Sequence, residues 1–193
     1  DVVVGFGGYA AAPAYLAARR TRTPLVIHES NSRAGIANRL GARFTTHVYV
    51  SYSGSLPRST VLAPPLRLSI STLDRAAKRD EALGRFGLSA EQPVLLVFGG
   101  SQGARSLNSA VTDALPSLRE QGIQVLHSYG SRNESSVSAQ GYVALPFIDR
   151  MDLAYAAADI AMTRAGAMTC AELAAGKLLA LSGSASVSLS KTV

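Results

Sequence analysis

A glycine-rich loop at residues 99–103 has the residue types needed to bind a phosphate group. It follows the apolar run 94–98 and precedes a helix-compatible segment through Ala114, so the order strand, loop, helix is predicted. Glycines let the main chain approach an anion closely, and the first free N–H groups of the helix point towards it. Ser101 and Gln102 add side-chain donors that an ordinary turn does not need. The pattern therefore favours an anion-binding loop.

A second glycine cluster, formed by Gly5, Gly7 and Gly8, lies near the start of the sequence. It follows the apolar residues 2–4 and precedes an alanine-rich segment from Ala10 that predicts a helix. Residues 5–10 fit the dinucleotide-binding pattern G-x-G-x-x-A, and Glu29 ends a second predicted strand about twenty residues further on, where a ribose-binding acid is expected. A nicotinamide-dependent oxidoreductase is therefore one hypothesis, although no acid or base for its substrate can be placed.

Residues 99–103 also match G-x-S-x-G, the turn that carries the nucleophilic serine of α/β hydrolases. That chemistry needs a histidine, an acid and an oxyanion segment in the right places. His127 is the only histidine after Ser101, it precedes Asp149 and Asp159, and no HGGG-type segment is present. We therefore disfavour a hydrolase.

Predicted strands alternate with predicted helices, which favours an α/β fold with parallel sheets. Ligands of such sheets bind at the carboxyl ends of the strands, where His28, Glu29 and Asn31 are expected. Pro64 and Pro65 exclude a central strand and predict a domain connection. Further strands are predicted at 47–51, 124–129, 142–147 and 160–163, and further helices at 34–42, 72–86, 151–158 and 166–175.

The composition of the 193 residues narrows the class of protein. Apolar residues make up 47% and charged residues 17%, which favours a globular chain over a disordered one. The net charge of +6 favours anionic partners such as nucleotide phosphates or anionic lipid. Nucleic acid is disfavoured because the basic residues are scattered and no nucleic-acid-binding motif is present. The single cysteine, Cys170, lies in an apolar helical pattern that predicts a buried thiol, and its lack of a disulfide partner suits the cytosol.

Taken together, the glycine clusters and the strand ends resemble the MurG family of glycosyltransferases, which have two Rossmann-like domains. These enzymes add N-acetylglucosamine to the lipid-linked muramyl-pentapeptide precursor of peptidoglycan. Matching segments occur in family order from residue 1 to about residue 176, and they are specific as a set although each is weak alone. They are residues 5–9, 28–31, 65–67, 99–104, 147–149 and 164–172.

The resemblance implies two Rossmann-like domains facing a cleft, the GT-B arrangement, both incomplete here. We expect part of an acceptor-side domain at 1–68, a donor domain for the UDP-sugar at 69–181, and a serine-rich tail at 182–193. The family's first glycine loop and a later loop with Gln and Asn are missing, and Pro64 replaces the usual Asn. The sequence also begins without Met, which indicates a fragment. We therefore expect this polypeptide alone to be inactive or severely impaired.

For the donor, the resemblance implies that the main chain of Ile148 contacts the uracil and that Glu172 accepts hydrogen bonds from the ribose hydroxyls. Simpler roles compete, because Ile148 could be a core residue, Glu172 a helix cap and His28 a structural histidine. Arg67, for which a structural ion pair is the alternative, and Arg164 would offset the charge of the diphosphate. The other implied substrate contacts are Asn31, Ser101, Gln102, Gly103, Gly166, Ala167, Met168 and Thr169, and the acceptor-side candidates are Gly7, Gly8, Tyr9, His28 and Glu29.

The implied reaction is attack of the muramyl 4-hydroxyl on the anomeric carbon of UDP-N-acetylglucosamine, with inversion, which converts lipid I to lipid II in peptidoglycan synthesis. The chain has no Asp-x-Asp pair for a divalent cation, so helix N-termini, loop amides and arginine are expected to stabilise the leaving UDP without metal or cofactor. No general base is assigned. The lipid acceptor implies a peripheral position on the cytoplasmic side of the membrane, near anionic lipid. The oxidoreductase and a non-catalytic nucleotide-binding fragment remain as alternatives.

Overall fold

The computed structural model describes residues 1–133 and 139–182 of the chain. The chain divides into two compact units, Asp1–Pro65 and Leu66–Val193, which we call unit 1 and unit 2. The functional domains expected at 1–68 and 69–181 stay predictions. The serine-rich tail lies, beyond Ser182, outside the described residues.

Unit 1 contains a four-stranded parallel sheet with the strand order β1-β2-β3-β4. Each of its first two crossovers is a helix, as parallel pairing requires a long connection between neighbouring strands. The elements are β1 (Val3–Gly5), α1 (Ala11–Thr21), β2 (Leu25–Glu29), α2 (Ile36–Gly41), β3 (Val48–Val50) and β4 (Thr60–Val61).

Tyr15 on α1 joins the helices of unit 1 to the sheet. Its ring is buried in a cluster with Leu25, Ile27 and Ala37, and its hydroxyl donates to Oδ1 of Asn38 at 2.8 Å. The same hydroxyl accepts the main-chain N–H of Gly7 at 3.2 Å. One aromatic side chain therefore packs under the strands and fixes both the loop after β1 and helix α2.

Unit 2 contains a five-stranded parallel sheet with the order β7-β6-β5-β8-β9. The chain adds β6 and β7 on one side of β5 and then returns to add β8 and β9 on the other side. The elements are α3 (Leu68–Ser71), α4 (Arg75–Phe86), β5 (Val94–Phe98), α5 (Arg105–Glu120), β6 (Gln124–Ser128), β7 (Tyr142–Leu145), α6 (Met151–Ala157), β8 (Ile160–Thr163), α7 (Ala167–Ala175) and β9 (Leu179–Ser182).

The central strand β5 is buried on both faces, which explains its unbroken apolar sequence. Val94, Leu96 and Phe98 point into the cluster formed with α4 and α6, whereas Val97 points into the cluster formed with α5. This alternation is the two-residue period of a strand. Parallel sheets connected by helices, with helices on both faces of the sheet of unit 2, confirm the predicted α/β class.

Two arginines of α4 hold the end of α6. Arg75 donates from Nε to the carbonyl of Tyr155 at 2.9 Å and from Nη1 to that of Lys177 at 3.2 Å, and its third nitrogen bonds the carbonyl of Ala158. Arg79 donates to the carbonyl of Ala157 at 3.2 Å. The last carbonyls of a helix have no partners within the helix, so these guanidinium groups supply them.

The sequence predictions differ from the structure at three places. Helix α5 continues past Ala114 to Glu120 despite Pro116, because its apolar positions keep packing on the sheet beyond the proline. The short elements α3 and β4 were not predicted. The prediction that Cys170 is buried is wrong: its side chain is exposed, since α7 starts at the carboxyl edge of the sheet and buries only Leu173.

His127 on β6 is a buried polar residue of unit 2. Its Nε2 lies 3.1 Å from Oδ1 of Asn108, whose own amide nitrogen donates to the carbonyl of Tyr129. Nε2 must therefore carry the proton, and Nδ1 accepts from the hydroxyl of Tyr142 at 2.7 Å. Burial lowers the pKa of His127 from 6.5 to about 4. The fold thus favours the neutral ring.

We expect His127 to make unit 2 less stable in acid. Because its pKa is lower in the folded state, its contribution is complete above about pH 6.5 and is lost as the pH falls towards 4, by at most about 3 kcal/mol. Urea unfolding at several pH values measures this. The stability difference between the wild type and His127→Gln should shrink across that window, whereas the exposed His47→Gln should follow the wild type. Parallel curves for wild type and His127→Gln contradict the assignment.

Candidate functional site

The strand order of unit 2 reverses between β5 and β8. These two strands are parallel neighbours, with Phe98 paired to Thr163 at their carboxyl ends. The loop after β5 leads into α5, and the loop after β8 leads into α7. Both helices therefore begin at one edge of the sheet, at the position where α/β proteins bind their ligands.

The first turns of α5 and α7 lack side-chain caps. Their N-cap residues are Ala104 and Gly166, and neither offers a side-chain acceptor to the helix. By contrast, Asp74 caps α4 by accepting the N–H of Ala77 at 3.1 Å. The free N–H groups and the helix dipoles make the starts of α5 and α7 suitable for an anion.

The loop 99–103 is fixed from behind by residues that follow β6. The carbonyl of Ser101 accepts the N–H of Ser131 at 3.3 Å, and the carbonyl of Gln102 accepts the side-chain amide of Asn133 at 2.8 Å. The N–H of Gly103 closes the turn by donating to the carbonyl of Gly100 at 2.9 Å. The N–H groups of Ser101 and Gln102 have no partner among the described residues. The main-chain N–H groups of Ser101 and Gln102 can therefore still donate to a ligand, whereas that of Gly103 is used within the loop.

Glu172 lies six residues into α7, and its carboxylate has two different partners. Oε2 accepts the hydroxyl of the buried Tyr155 at 2.8 Å, and Oε1 lies 3.5 Å from a guanidinium nitrogen of Arg67. Neither contact caps the helix, so the capping alternative is not supported. The side chain of Glu172 is 15% exposed, so part of the carboxylate side chain remains open to solvent.

Arg67 precedes α3 and is the only predicted diphosphate ligand that already has an ionic partner among the described residues. Its side chain is 55% exposed and its pair with Glu172 is long, so the pair adds little to stability. Arg164 is exposed in the loop between β8 and α7. Both cations are free enough to move towards an anion.

The start of α7 is formed by Gly166, Ala167, Met168 and Thr169, which agrees with the helix predicted at 166–175. Met168 is partly exposed there. Ile148 follows the carboxyl end of β7 and is only 2% exposed, with its side chain in the core. Within residues 1–133 and 139–182, its main-chain N–H and C=O have no hydrogen-bond partner. Any ligand contact of Ile148 therefore has to use the main chain.

The acceptor-side candidates all lie in unit 1. Gly7, Gly8 and Tyr9 follow β1, and Tyr9 is 98% exposed. His28 is buried at the end of β2, where Nε2 donates to the carbonyl of Leu62 at 3.1 Å and Nδ1 lies 3.3 Å from the hydroxyl of Ser30. Both ring nitrogens thus have structural partners.

Glu29 is a buried carboxylate with four hydrogen bonds. Oε1 accepts the main-chain and side-chain N–H groups of Asn31, both at 2.9 Å. Oε2 accepts the N–H of Gly35 at 3.0 Å and the side-chain amide of Asn38 at 2.9 Å. Burial alone would raise the pKa of Glu29, but these donors outweigh burial and lower it. Glu29 therefore organises the loop after β2, and the exposed Asn31 keeps its amide oxygen free for a ligand.

Sequence reasoning missed the partners that fix these groups. Asn38, Tyr155 and Asn133 each hold a predicted site residue or its loop. A buried Asn in the apolar face of α2 was a usable indication, because such a residue needs partners. Tyr155 gave no indication, since a tyrosine in an apolar helix is normally core.

A membrane-spanning helix is not found: within residues 1–133 and 139–182, every helix is too short or too polar to cross a bilayer. Over the same stretches, His, Cys, Asp and Glu side chains form no group of three or more that could hold a metal ion.

We expect Gly103→Ala to detach the anion-binding loop, and Gly100→Ala to serve as its matched control. Both glycines have positive φ, 73° and 92°, so both alanines are strained. A Cβ at Gly103 would also lie 2.0 Å from the carbonyl oxygen of Tyr129, whereas one at Gly100 meets nothing within 4 Å. Gly100→Ala should cost about 1 kcal/mol, and Gly103→Ala at least about 2 kcal/mol, of unfolding free energy in urea. Equal losses contradict this account of the loop.

We expect Glu29→Gln to destabilise unit 1 by about 2 to 4 kcal/mol. Each oxygen of Glu29 accepts two N–H groups, so the NH2 group of the glutamine, which cannot accept, would face two donors. Since the folded pKa of Glu29 is lowered, the stability that the carboxylate supplies is present above the unfolded pKa and is lost as the pH falls through the folded value. Chemical unfolding near pH 7 measures the loss, with the exposed Glu91→Gln as the charge control. Equal effects of the two substitutions contradict the structural role.

Two glycosyltransferase domain families match the chain. The model of the glycosyltransferase family 28 N-terminal domain matches residues 1–50, within unit 1, and that of the family 28 C-terminal domain matches residues 94–181, within unit 2. The two matched regions contain both glycine loops and Glu172. The family match therefore covers the candidate site apart from Arg67.

Curated relatives include UDP-N-acetylglucosamine–N-acetylmuramyl-(pentapeptide) pyrophosphoryl-undecaprenol N-acetylglucosamine transferases. The one from Acidothermus cellulolyticus is 57% identical in an alignment of 185 positions, and the match covers 91% of this chain and 50% of that protein. The one from Mycobacterium sp. strain JLS is 54% identical in an alignment of 181 positions, and the match covers 91% of this chain and 48% of that protein. The chain thus spans about half the length of the curated relatives it matches.

A solved structure is also similar. The crystal structure of Acinetobacter baumannii MurG matches with a TM-score of 0.70 and 30% identity, over 98% of this chain and 54% of that one. Together with the relatives, this likeness confirms the predicted resemblance and the Rossmann-like, GT-B class of fold. The chain belongs to the MurG family of family 28 glycosyltransferases.

Proposed function

We propose that unit 2 is the UDP-N-acetylglucosamine site of an inverting N-acetylglucosaminyltransferase, which transfers the sugar to the 4-hydroxyl of an undecaprenyl-linked muramyl pentapeptide, converting lipid I to lipid II. The observation that carries this proposal is the position of Glu172, a reachable carboxylate on a helix whose uncapped start lies at the sheet edge where α5 also begins. The names of the curated relatives supply the donor and the acceptor.

The diphosphate binds at the starts of α5 and α7. The open N–H groups of Ser101 and Gln102 and the first amides of both helices face its oxygens, and the hydroxyl of Ser101 donates a further bond. Arg67 leaves its long contact with Glu172 and, with Arg164, offsets the negative charge. Gly166 to Thr169, at the uncapped start of α7, line the sugar and its phosphate.

The nucleoside binds between Glu172 and the loop after β7. A carboxylate accepts hydrogen bonds only, so Glu172 suits the ribose hydroxyls. The unpaired main-chain groups of Ile148 suit the uracil edge, since buried main-chain groups normally have partners. Gly103 contributes through the shape of its loop, because its own amide is occupied.

The chemistry is a substitution at the anomeric carbon. The acceptor oxygen forms a bond to that carbon while the bond to the UDP oxygen breaks, and the hydroxyl proton passes to a base that these residues do not identify. Negative charge develops on the departing diphosphate, and helix dipoles, amides and arginine stabilise it, the role a divalent cation has in other transferases. The site is proposed to need no metal and no cofactor.

The acceptor lies on the side of unit 1. Tyr9 with Gly7 and Gly8, and the free amide oxygen of Asn31, are the groups proposed to contact it, while His28 and Glu29 shape the loop. A lipid acceptor places the protein peripherally on the cytoplasmic face of the membrane. The net charge of +6 attracts that anionic surface. No contact with nucleic acid is proposed.

The nicotinamide hypothesis loses its main support. It needed Glu29 as the ribose-binding acid, but both oxygens of that carboxylate are filled by donors from its own loop. A dinucleotide would have to break these bonds in a buried position. Nothing in the geometry of unit 1 favours that exchange.

We expect calorimetric titration without added metal to show binding of UDP and UDP-N-acetylglucosamine but not of NADH. Glu172→Ala should weaken UDP binding about tenfold or more, because a charged hydrogen bond contributes about 1.5 to 3 kcal/mol. Glu120→Ala, which removes an exposed acid at the other end of α5, should leave the affinity unchanged. Binding of NADH alone, or equal UDP affinity in Glu172→Ala and the wild type, contradicts the proposal.

A further inference from the structure

Tyr155 lies completely buried on α6, on the face that packs against β5. Its ring contacts Phe98 edge to face at 6.1 Å between centroids. Its main-chain carbonyl is bonded by Nε of Arg75. The ring and the main chain of Tyr155 are therefore held by β5 and α4, and not by α7, which carries Glu172.

The hydroxyl of Tyr155 can only donate in its bond to Glu172. A carboxylate offers acceptors alone, so the proton of the 2.8 Å bond belongs to the tyrosine. Burial, and then the adjacent Glu172 carboxylate, raise the pKa of Tyr155 far above its ordinary value. The hydroxyl thus keeps its proton at neutral pH.

The two oxygens of Glu172 are consequently different. Oε2 is bound to a rigid donor, whereas Oε1 has only the long contact with the exposed Arg67. A half-turn only exchanges the two equivalent oxygens, but any other orientation of the carboxylate would break the bond to Tyr155 and leave a buried hydroxyl unpaired, which costs about 1 to 3 kcal/mol. Oε1 is the atom left for an incoming ligand.

We propose that Tyr155 is a positioning residue that orients the Glu172 carboxylate and thereby sets the preference of the site for a nucleotide with ribose hydroxyls over a dideoxynucleotide. The inference rests on the proposed binding of UDP by unit 2. Part of the specificity for ribose hydroxyls then depends on the buried Tyr155 and not on Glu172 alone. A tyrosine that only fills the core would stabilise the protein without affecting that preference.

The test compares UDP with 2′,3′-dideoxy-UDP by calorimetry on the full chain. Wild type should bind UDP about tenfold tighter than the dideoxy analogue. Tyr155→Phe should weaken UDP by about three- to tenfold while changing the dideoxy analogue little, so the ratio should fall at least about threefold. Tyr142→Phe removes another tyrosine hydroxyl of unit 2, the one bonded to His127, and should leave the ratio unchanged.

The outcomes separate the two proposals. If wild type does not bind UDP, or does not distinguish it from the dideoxy analogue, the proposed function of Glu172 fails and the inference fails with it. If wild type distinguishes them, Glu172→Ala loses that distinction and Tyr155→Phe retains the full ratio, only the inference is overturned. An equal loss of both ligands in Tyr155→Phe assigns the tyrosine a purely structural role and also overturns it.

Glu172→Gln decides the question if Tyr155→Phe does not fold, as judged by urea unfolding. With Tyr155 donating, the amide of the glutamine must turn its carbonyl towards the tyrosine and its NH2 group towards the ribose, whose hydroxyls would then have to accept a hydrogen bond instead of donating one. The charged bond of the carboxylate is lost in this orientation, so UDP should bind more weakly to Glu172→Gln than to the wild type. Near-wild-type UDP affinity in Glu172→Gln would mean that the group turns freely, and would overturn the inference.

Discussion

The parallel pairing of β5 with β8 is the constraint on which the candidate site depends. Because the chain returns to β5 after building β7, the loops after β5 and β8 leave the sheet at one edge and lead into α5 and α7. The register places Phe98 beside Thr163, so both loops start level with each other. The proposed main-chain contacts of the diphosphate follow from this juxtaposition of two uncapped helix starts.

Unit 1 and unit 2 each contain a carboxylate at such an edge, but the two are used differently. Glu29 is surrounded by four donors from its own loop and α2, so it has no capacity left for a ligand. Glu172 has one firm donor and one weak one. Glu29 thus holds its own loop, whereas Glu172 keeps an oxygen with only one long contact.

The sequence was informative where a local pattern reports a local structure. The apolar run before Gly99, the glycines and the helix carrying Glu172 were all predicted, because strand burial and helix starts depend on neighbouring residues. Partners distant in sequence could not be predicted: Tyr155 with Glu172, or Asn133 with the loop at Gln102, meet only through the sheet. Cys170 was misjudged for the same reason, since burial on α7 depends on where the sheet ends.

The contacts of Arg75 have a consequence for the order in which unit 2 acquires its structure during synthesis. Its guanidinium joins α4 to the carbonyls of Tyr155, Ala158 and Lys177, at sequence separations of 80 to 102 residues. A ribosome that has just released α4 has not yet made any of these acceptors, and closing so long a loop has an entropic cost. The guanidinium of Arg75 therefore cannot make its full set of contacts until Lys177 has been synthesised.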